Sequence, residues 1–284
     1  MPTVRTATPA DADAAGMICY RAFKAIAEQH KFQPDFPDPE AAIGLIRHMV
    51  ARPDIHGVVV EAAGRVVGSN FLWKDDAVAG VGPITVEPAA QNSGTGRKLM
   101  EAVLDHARAT GMTSVRLLQA AYHNRSLSLY TKLGFEAREP LSVMQGPALA
   151  LRIEGCAVRA AHATDVEAAN TLCRRIHGHS RSGELRAAIE QGAATVVERA
   201  SRITGYATGI GFFGHAVTET TEDLQALIAA APSFPGPGFL MPTRNAALMR
   251  WCLAHGLRIV QPMTLMTMGP YQEPQGAYLP SILY

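Results

Sequence analysis

A stretch of about twenty residues recurs in this sequence, and the recurrence limits the fold more than any other feature, because a repeated sequence must be able to fold as a repeated unit. Val4 to Phe23 aligns with Val158 to His177 at an offset of 154. The identities are Val4, Arg5, Ala7, Asp11, Ala14, Ala15, Cys19 and Arg21 against Val158, Arg159, Ala161, Asp165, Ala168, Ala169, Cys173 and Arg175. A second block sets Val59, Val60, Glu61, Ala63, Arg65 and Gly68 against Val196, Val197, Glu198, Ala200, Arg202 and Gly205 at 137; a third sets Gly134, Pro140 and Met144 against Gly256, Pro262 and Met266 at 122. Order is kept while the offset shrinks, so the second copy has lost connecting residues. A length of 284 residues suits two copies, each able to bury its own core, and the expected division is 1–150 and 151–284.

Within the first copy, Thr8-Pro9-Ala10-Asp11 reads as a helix start: a hydroxyl N-cap, proline in the first turn and an acid three residues after the cap. A strand over Thr3 to Ala7 then feeds a helix towards His30, Lys31 to Pro39 is a loop, and Glu40 to Ala51 is helical. Val58 to Glu61 and Arg65 to Trp73 flank Ala-Ala-Gly as strands around a tight turn. There follow a strand over Ala77 to Val86, a helix with Leu99, Val103 and Ala107 on one face, a buried strand over Val115 to Leu118, a helix over Arg125 to Leu133 closed by Gly134, and a strand over Ala137 to Met144. The order predicts an α/β (α+β) unit with a mixed sheet.

Charge and composition exclude several functions. A formal net charge of +1 with no block of Lys or Arg supplies no field for nucleic acid or anionic lipid. No apolar run spans a bilayer, and Arg5, Asp11 and Asp13 interrupt the place a secretory signal would need, so the expectation is a cytoplasmic, globular protein. Cys19, Cys156, Cys173 and Cys252 are too dispersed for a disulfide framework and read as free thiols. His177-Gly178-His179 has no Cys or carboxylate at metal-ligand spacing and reads as a surface turn, so no metal is expected. The expected partner is a small molecule.

Between the strand ending at Val86 and the next helix lies Gln91-Asn92-Ser93-Gly94-Thr95-Gly96. Glycines let a backbone come close to a ligand, and loop N–H groups beside a helix N-terminus favour negative charge, by about 0.3 to 2 kcal/mol each. A pyrophosphate suits such a cradle. The segment lacks the Gly-Lys-Ser/Thr of a Walker loop and the G-x-G-x-x-G of a dinucleotide fold.

Val86-x-Pro88, Gln-x-x-Gly-x-Gly from Gln91 to Gly96, Asn124 with Tyr130 six residues on, and Leu133-Gly134-Phe135 resemble the GNAT superfamily of N-acetyltransferases over residues 1 to 150. The resemblance implies tandem GNAT-like domains, each a mixed, mostly antiparallel twisted sheet flanked by helices, and acetyl-CoA as cosubstrate. It implies that main-chain groups of Ile84, Thr85 and Val86 bond the pantetheine. It places the pyrophosphate on backbone N–H groups of Gln91, Asn92, Ser93, Gly94, Thr95 and Gly96, with Arg97 beside them. Asn124 then orients the pantetheine; it can also be the N-cap of its helix, and the two uses are compatible. Tyr130 gives a proton to the leaving CoA thiolate while a primary amine of a small molecule or peptide attacks the thioester directly; the bland alternative is a core aromatic.

Many members of the family carry a glutamate in the strand before the loop, and Ala77 to Val86 contains no acid. A lysine-like amine with pKa about 10.4 costs roughly 4.6 kcal/mol to present neutral at pH 7, an α-amine about 1.4 kcal/mol. Candidate bases are Asp75, Asp76, Glu87, His123, the terminal carboxylate of Tyr284, or water. The apolar tail Tyr278 to Tyr284 is expected to dock. Phe32, Asp35, Phe36 and Asp38, between the first two helices, either line the acceptor pocket or pack their own loop.

In the second copy no Gln-x-x-Gly-x-Gly stands between the strand at His215 to Thr218 and the helix at Glu222 to Ala231. Asn245 is followed six residues on by Trp251, which cannot protonate a thiolate, and Pro232 to Pro242 reads as a loop. This copy is expected not to bind CoA. Two further readings of the chain are a non-catalytic acyl-CoA sensor and an inert scaffold, as a monomer or homodimer.

Overall fold

The computed structural model describes residues 2–74 and 78–283, so Asp75, Asp76, Ala77 and Tyr284 lie outside the described residues. The chain forms two compact units: one holds the chain through Glu136 with Thr267–Gly269 and Leu283, the other Ala137–Met266 with Pro270–Ile282.

The first unit contains β1 (Thr3–Thr6), α1 (Ala12–Gln29), α2 (Pro39–Ala51), β2 (Ile55–Ala62), β3 (Arg65–Trp73), β4 (Val78–Val81), β5 (Thr85–Val86), α3 (Thr95–Ala109), β6 (Ser114–Ala120) and α4 (Asn124–Lys132). Its strands run β1-β2-β3-β4-β6, with β5 also on β3. All these pairs are antiparallel except β4–β6. The second unit follows with β7 (Glu136–Gln145), β8 (Ala157–Ala160), α5 (Val166–His177), α6 (Ser182–Glu190), β9 (Thr195–Arg199), β10 (Arg202–Ala207), β11 (Ala216–Thr218), α7 (Thr221–Ala230), β12 (Phe239–Pro242), α8 (Ala246–Ala254), β13 (Arg258–Met268) and β14 (Ala277–Leu279). Strands β14-β11-β10-β9-β8 form an antiparallel sheet, and β12 pairs antiparallel with β7. The fold is thus mixed α/β, with antiparallel-dominated sheets flanked by helices. Among the described residues no helix is long and apolar enough to cross a membrane.

The identities between the copies have a physical cause. Arg5 forms a fork on Asp11 at 2.8 Å and reaches Glu61 at 3.1 Å; Arg159 does the same with Asp165 at 2.7 and 3.0 Å and with Glu198 at 2.6 Å. Each triad ties the first strand, the helix start and the neighbouring strand together. The same acid accepts the N–H of Thr8 or His162 at 2.8 Å, closing the helix entry that the sequence predicts. Ala15 and Cys19, like Ala169 and Cys173, are almost fully buried on the inner face of the helix that follows.

Gly68 and Gly205 mark a shared bulge. The β2–β3 register shifts between Val60 and Glu61, the β9–β10 register between Ile203 and Gly205. The carbonyls of Val67 and Thr204 then accept the N–H of Glu87 and Glu219, both at 2.9 Å. A Cβ at Gly68 would lie 2.7 Å from the Thr85 carbonyl oxygen and 3.1 Å from Leu99 Cδ1, so β5 must move if one is added. Gly68→Ala is expected to cost about 1–3 kcal/mol, read as a lower urea midpoint at unchanged m-value.

Three expectations are corrected. The predicted strand over Ala77 to Val86 is broken into β4 and β5: Pro83 has no N–H to give a ladder, while Gly82 donates its N–H to the Phe71 carbonyl at 3.0 Å and accepts from Trp73 Nε1 at 3.1 Å. The predicted loop over Pro232 to Pro242 ends in β12, because Phe239, Leu240 and Met241 are fully buried against β7. His177 is buried at the end of α5, its ring edge-on to Tyr278 at 5.0 Å, rather than part of a surface turn.

Candidate active site

The parallel ladder between β4 and β6 ends at Gly80 and Arg116, while β6 continues to Ala120. Past that point the chain turns onto β5, which is paired to β3. Ile84, Thr85 and Val86 therefore stand where one edge of the sheet leaves its parallel neighbour, and Thr85 is buried with its hydroxyl 3.3 Å from that of Ser69.

A one-turn 3-10 segment, Pro88–Ala90, leads from β5 into the glycine-containing loop. Asn92 and Gly94 have φ of 63° and 83°, left-handed conformations that Gly and Asn tolerate best, and Gly94 is the N-cap of α3. Side chains inside the loop hold its shape. Ser93 donates to the Ala90 carbonyl at 2.7 Å and lies 2.8 Å from the Thr95 hydroxyl; Gln91 Nε2 donates to the Val86 carbonyl at 3.3 Å. Arg125 on α4 donates to Gln91 Oε1 at 2.9 Å and Asn92 Oδ1 at 3.4 Å.

The α3 N-terminus differs electrostatically from its counterparts. Asp38, Thr220 and Asn245 cap α2, α7 and α8 with side-chain acceptors at 2.9, 3.1 and 3.1 Å. By contrast, α3 has no side-chain cap and no acid in its first turn, so its first N–H groups keep their partial positive charge for a ligand. A cleft of about 380 Å³ opens there, lined by Asn92 and Arg97 from the α3 side and by Asn124, Arg125, Ser128, Leu129 and Lys132 from α4. Three cations and a helix N-terminus make the cleft suited to an anion. Sequence reasoning missed Arg125, Ser128 and Lys132, although their spacing on a predicted helix beside Asn124 is the signal that could have found them.

Asn124 is the first residue of α4 and His123 is its N-cap, so the expected N-cap role of Asn124 does not hold; its side chain is exposed at the cleft. Tyr130 is 6% exposed, packs edge-on to Phe135 at 6.2 Å, and has its pKa pushed up to about 12 by burial, partly offset by the nearby Ser126 hydroxyl. It stays protonated throughout the neutral range.

Of the candidate bases, Glu87 is held in an ion pair by Arg21. His123 has its pKa pushed down to about 4 by burial and then by Arg125 and His30. The segment between α1 and α2 divides by role. Asp38 caps α2, and Phe36 packs edge-on to Phe23 at 5.9 Å, both loop-building contacts. Phe32 instead stacks on Tyr122 at 4.3 Å with planes 10° apart; Tyr122 has its pKa pushed up to about 12 by burial and by the charge of Asp35.

The second copy fills the equivalent places with its own groups. Because Gly205 pairs with Thr218 as Gly68 pairs with Val86, Ala216 to Thr218 correspond to Ile84 to Val86. The free edge of β11 is taken by β14, pairing Ala216 with Leu279, Val217 with Tyr278 and Thr218 with Ala277. The tail therefore docks, with Tyr278, Leu279 and Ser281 buried. At the α7 N-terminus, Thr220 caps the helix, and Glu222 and Asp223 put acid in its first turn. The counterpart of Tyr130 is not Trp251, as the sequence alone suggests. Asn245, at φ −75° and ψ 75°, is the N-cap of α8 and so matches His123, at φ −91° and ψ 75°. Phe135 N–H bonds the Tyr130 carbonyl as Leu257 N–H bonds that of Cys252, which aligns Tyr130 with Cys252. Cys252 is fully buried, its thiol pushed up to about 12. Among the described residues no cluster of three or more His, Cys, Asp or Glu is placed to hold a metal ion.

Residues 20–135 match the acetyltransferase (GNAT) family. An IAA acetyltransferase of Azospirillum brasilense is 31% identical over 132 residues, 45% of this chain and 86% of that one. A mycothiol acetyltransferase of Pseudarthrobacter chlorophenolicus is 35% identical over 98 residues, 32% of this chain, which thus spans only 29% of that relative. A solved protein of Pyrococcus horikoshii assigned as an acetyltransferase shares the fold, with a TM-score of 0.74 over 97% of this chain and 91% of that one at 16% identity. The chain accordingly belongs to the GNAT acetyltransferase family and is an acyltransferase.

Proposed function

We propose that this chain moves an acetyl group from acetyl-CoA to a primary amine of a small molecule or peptide, by direct attack at the site in residues 1–150. The observation that carries this reading is the uncapped, acid-free N-terminus of α3 above a cleft with Arg97, Arg125 and Lys132. These residues fit a diphosphate-bearing thioester. Backbone N–H groups from Gln91 to Gly96 hold the diphosphate, with Arg97 adding charge; the backbone of Ile84, Thr85 and Val86 receives the pantetheine, and Asn124 orients it. Acetyl-CoA supplies the activated acyl group. Tyr130 gives its proton to the departing sulfur, a role that contributes about a hundredfold to ten-thousandfold. Residues 151–284 form a second, GNAT-like domain that does not bind CoA, since β14 occupies the matching strand edge and α7 is capped by its own side chain.

The test is thiol release from acetyl-CoA over a panel of primary amines, an N-terminal peptide and an aminoglycoside. Turnover with at least one supports transfer. Tight CoA binding with transfer to none of them would favour an acyl-CoA sensor instead.

A further inference from the structure

The three cations of the cleft differ in what already holds them. Arg125 is spent on the loop, donating to Gln91 at 2.9 Å and Asn92 at 3.4 Å, and Arg97 reaches Glu101 one turn along α3 at 3.4 Å. Lys132 has neither a hydrogen bond nor an ion pair among the described residues, and the hydroxyl of Ser128, one turn before it on α4, is equally unengaged. Both side chains are exposed and both line the cleft, so a ligand reaches them without any rearrangement. Residues four apart on a helix stand one above the other, so Ser128 and Lys132 offer a hydroxyl and an ammonium to the same anion.

Their place along α4 decides which anion that is. A Cβ at Gly96, in the glycine-containing loop, would lie 3.6 Å from Leu129 Cδ2, so the loop stands level with the middle of α4. Lys132 lies about 4.5 Å further along the helix axis than Leu129, and about 12 Å from Asn124 at the helix start. From Asn124 to Lys132 the cleft therefore offers a neutral amide, then the loop and the α3 N-terminus, then an unpaired cation. CoA carries its groups in the same order: the neutral amides of pantetheine, the diphosphate, and the ribose with its 3′-phosphate, a monoester with close to two charges at neutral pH.

We propose that Ser128 and Lys132 hold the 3′-phosphate of CoA, so that the protein selects CoA over the same molecule without that phosphate. This rests on the reading above, in which the loop from Gln91 to Gly96 takes the diphosphate of acetyl-CoA. Lys132 donates from its ammonium and Ser128 from its hydroxyl, both charge-assisted by the dianion. Exposure sets the size of the effect: little desolvation opposes the pairing, but water and salt screen it, so the preference is modest and falls with ionic strength. The cations of the cleft then divide by role. Arg125 shapes the loop, Arg97 adds charge beside the diphosphate, and Lys132 distinguishes one nucleotide end from another.

Calorimetric titration of the whole chain with CoA and with 3′-dephospho-CoA tests the assignment. At about 50 mM salt the wild type is expected to bind CoA about tenfold more tightly than dephospho-CoA, and the preference should shrink towards one at about 0.5 M. Lys132→Ala is expected to weaken CoA about fivefold to tenfold while dephospho-CoA stays within about twofold, and Lys132→Arg to keep most of the preference. Ser128→Ala is expected to lower the preference about twofold to threefold. Both side chains are exposed, so the melting temperature without ligand should not move, which checks the fold of each variant. Equal losses for the two ligands in Lys132→Ala would put that residue on the diphosphate. A wild type without preference would put the 3′-phosphate in solvent, and an undiminished preference in Lys132→Ala would put it on other residues. Each of these outcomes overturns the assignment and leaves the diphosphate at the loop. If the wild type binds neither ligand, or Gly96→Asp binds CoA as tightly as the wild type, the acetyl-CoA reading falls and takes the assignment with it.

Discussion

Gly96→Asp is expected to abolish acetyl-CoA binding while leaving the fold intact. A Cβ at Gly96 would lie 3.6 Å from Leu129 Cδ2 and 4.0 Å from Val86 Cγ2, ordinary contacts that displace nothing. It would therefore stand between the end of β5 and α4, beside the cleft that carries Arg97, Arg125 and Lys132. An acid in the first turn of a helix favours the empty protein by a few tenths of a kcal/mol, because it faces the positive end of the dipole. The same charge opposes a diphosphate. At an effective dielectric of about 20, one unit charge about 4 Å from another costs roughly 4 kcal/mol, about a thousandfold in Kd. Calorimetric titration should give no measurable binding at micromolar protein, and acetyl-CoA should no longer raise the melting temperature. Gly96→Ala, which adds the methyl group without the charge, separates bulk from repulsion and should retain much of the affinity. An unaltered thermal shift in Gly96→Asp would mean that the ligand's phosphates lie elsewhere, and the assignment of Gln91 to Gly96 would fail.

The site and the fold were legible in the sequence to different depths. The repeat was readable because its identities sit at positions of fixed chemistry. Arg5, Asp11 and Glu61 form one triad and Arg159, Asp165 and Glu198 its twin, so neither set could drift without leaving a charge unmatched. The helix start at Thr8 and the glycine-containing loop before α3 were legible because caps and glycines act locally. Contacts between residues far apart in sequence were not. The pairing of β14 with β11 joins residues some sixty positions apart, and nothing in Ala277-Tyr278-Leu279 names its partner strand. The strand over Phe239–Pro242 was hidden by the prolines and glycines ahead of it, which argue for a loop until three buried side chains outweigh them. The error over Trp251 has a simpler cause: two asparagines, Asn124 and Asn245, look equivalent in sequence, but one is the first residue of its helix and the other is the N-cap. A one-residue slip on a helix turns the side chain by about 100° and points to the wrong counterpart.

Tyr130→Phe is expected to lower kcat by about two to four orders of magnitude, equivalent to about 2.7–5.4 kcal/mol of transition-state stabilisation, with little change in the Kd of CoA. The substitution removes one oxygen from a ring that is 6% exposed and packed edge-on to Phe135, so the shape of the core is kept. Its structural cost is limited to the loss of one hydroxyl group, about 1 kcal/mol, which a melting curve can verify independently. The pH dependence makes the two roles of the phenol separable. Burial raises the Tyr130 pKa to about 12, so the acid form is fully present from pH 6 to pH 10 and is lost only as pH rises through that value. In the wild type the rate should therefore climb with pH as the acceptor amine loses its proton, and reach a plateau with no alkaline fall below about pH 10. The residual rate of Tyr130→Phe should follow the same rising limb, because the amine titrates as before, at a level lowered throughout. A core aromatic without a chemical role predicts something else: a lower melting temperature and kcat near the wild-type value. The size of the kcat loss at unchanged stability decides between them, and a loss of less than about threefold would return Tyr130 to the hydrophobic core.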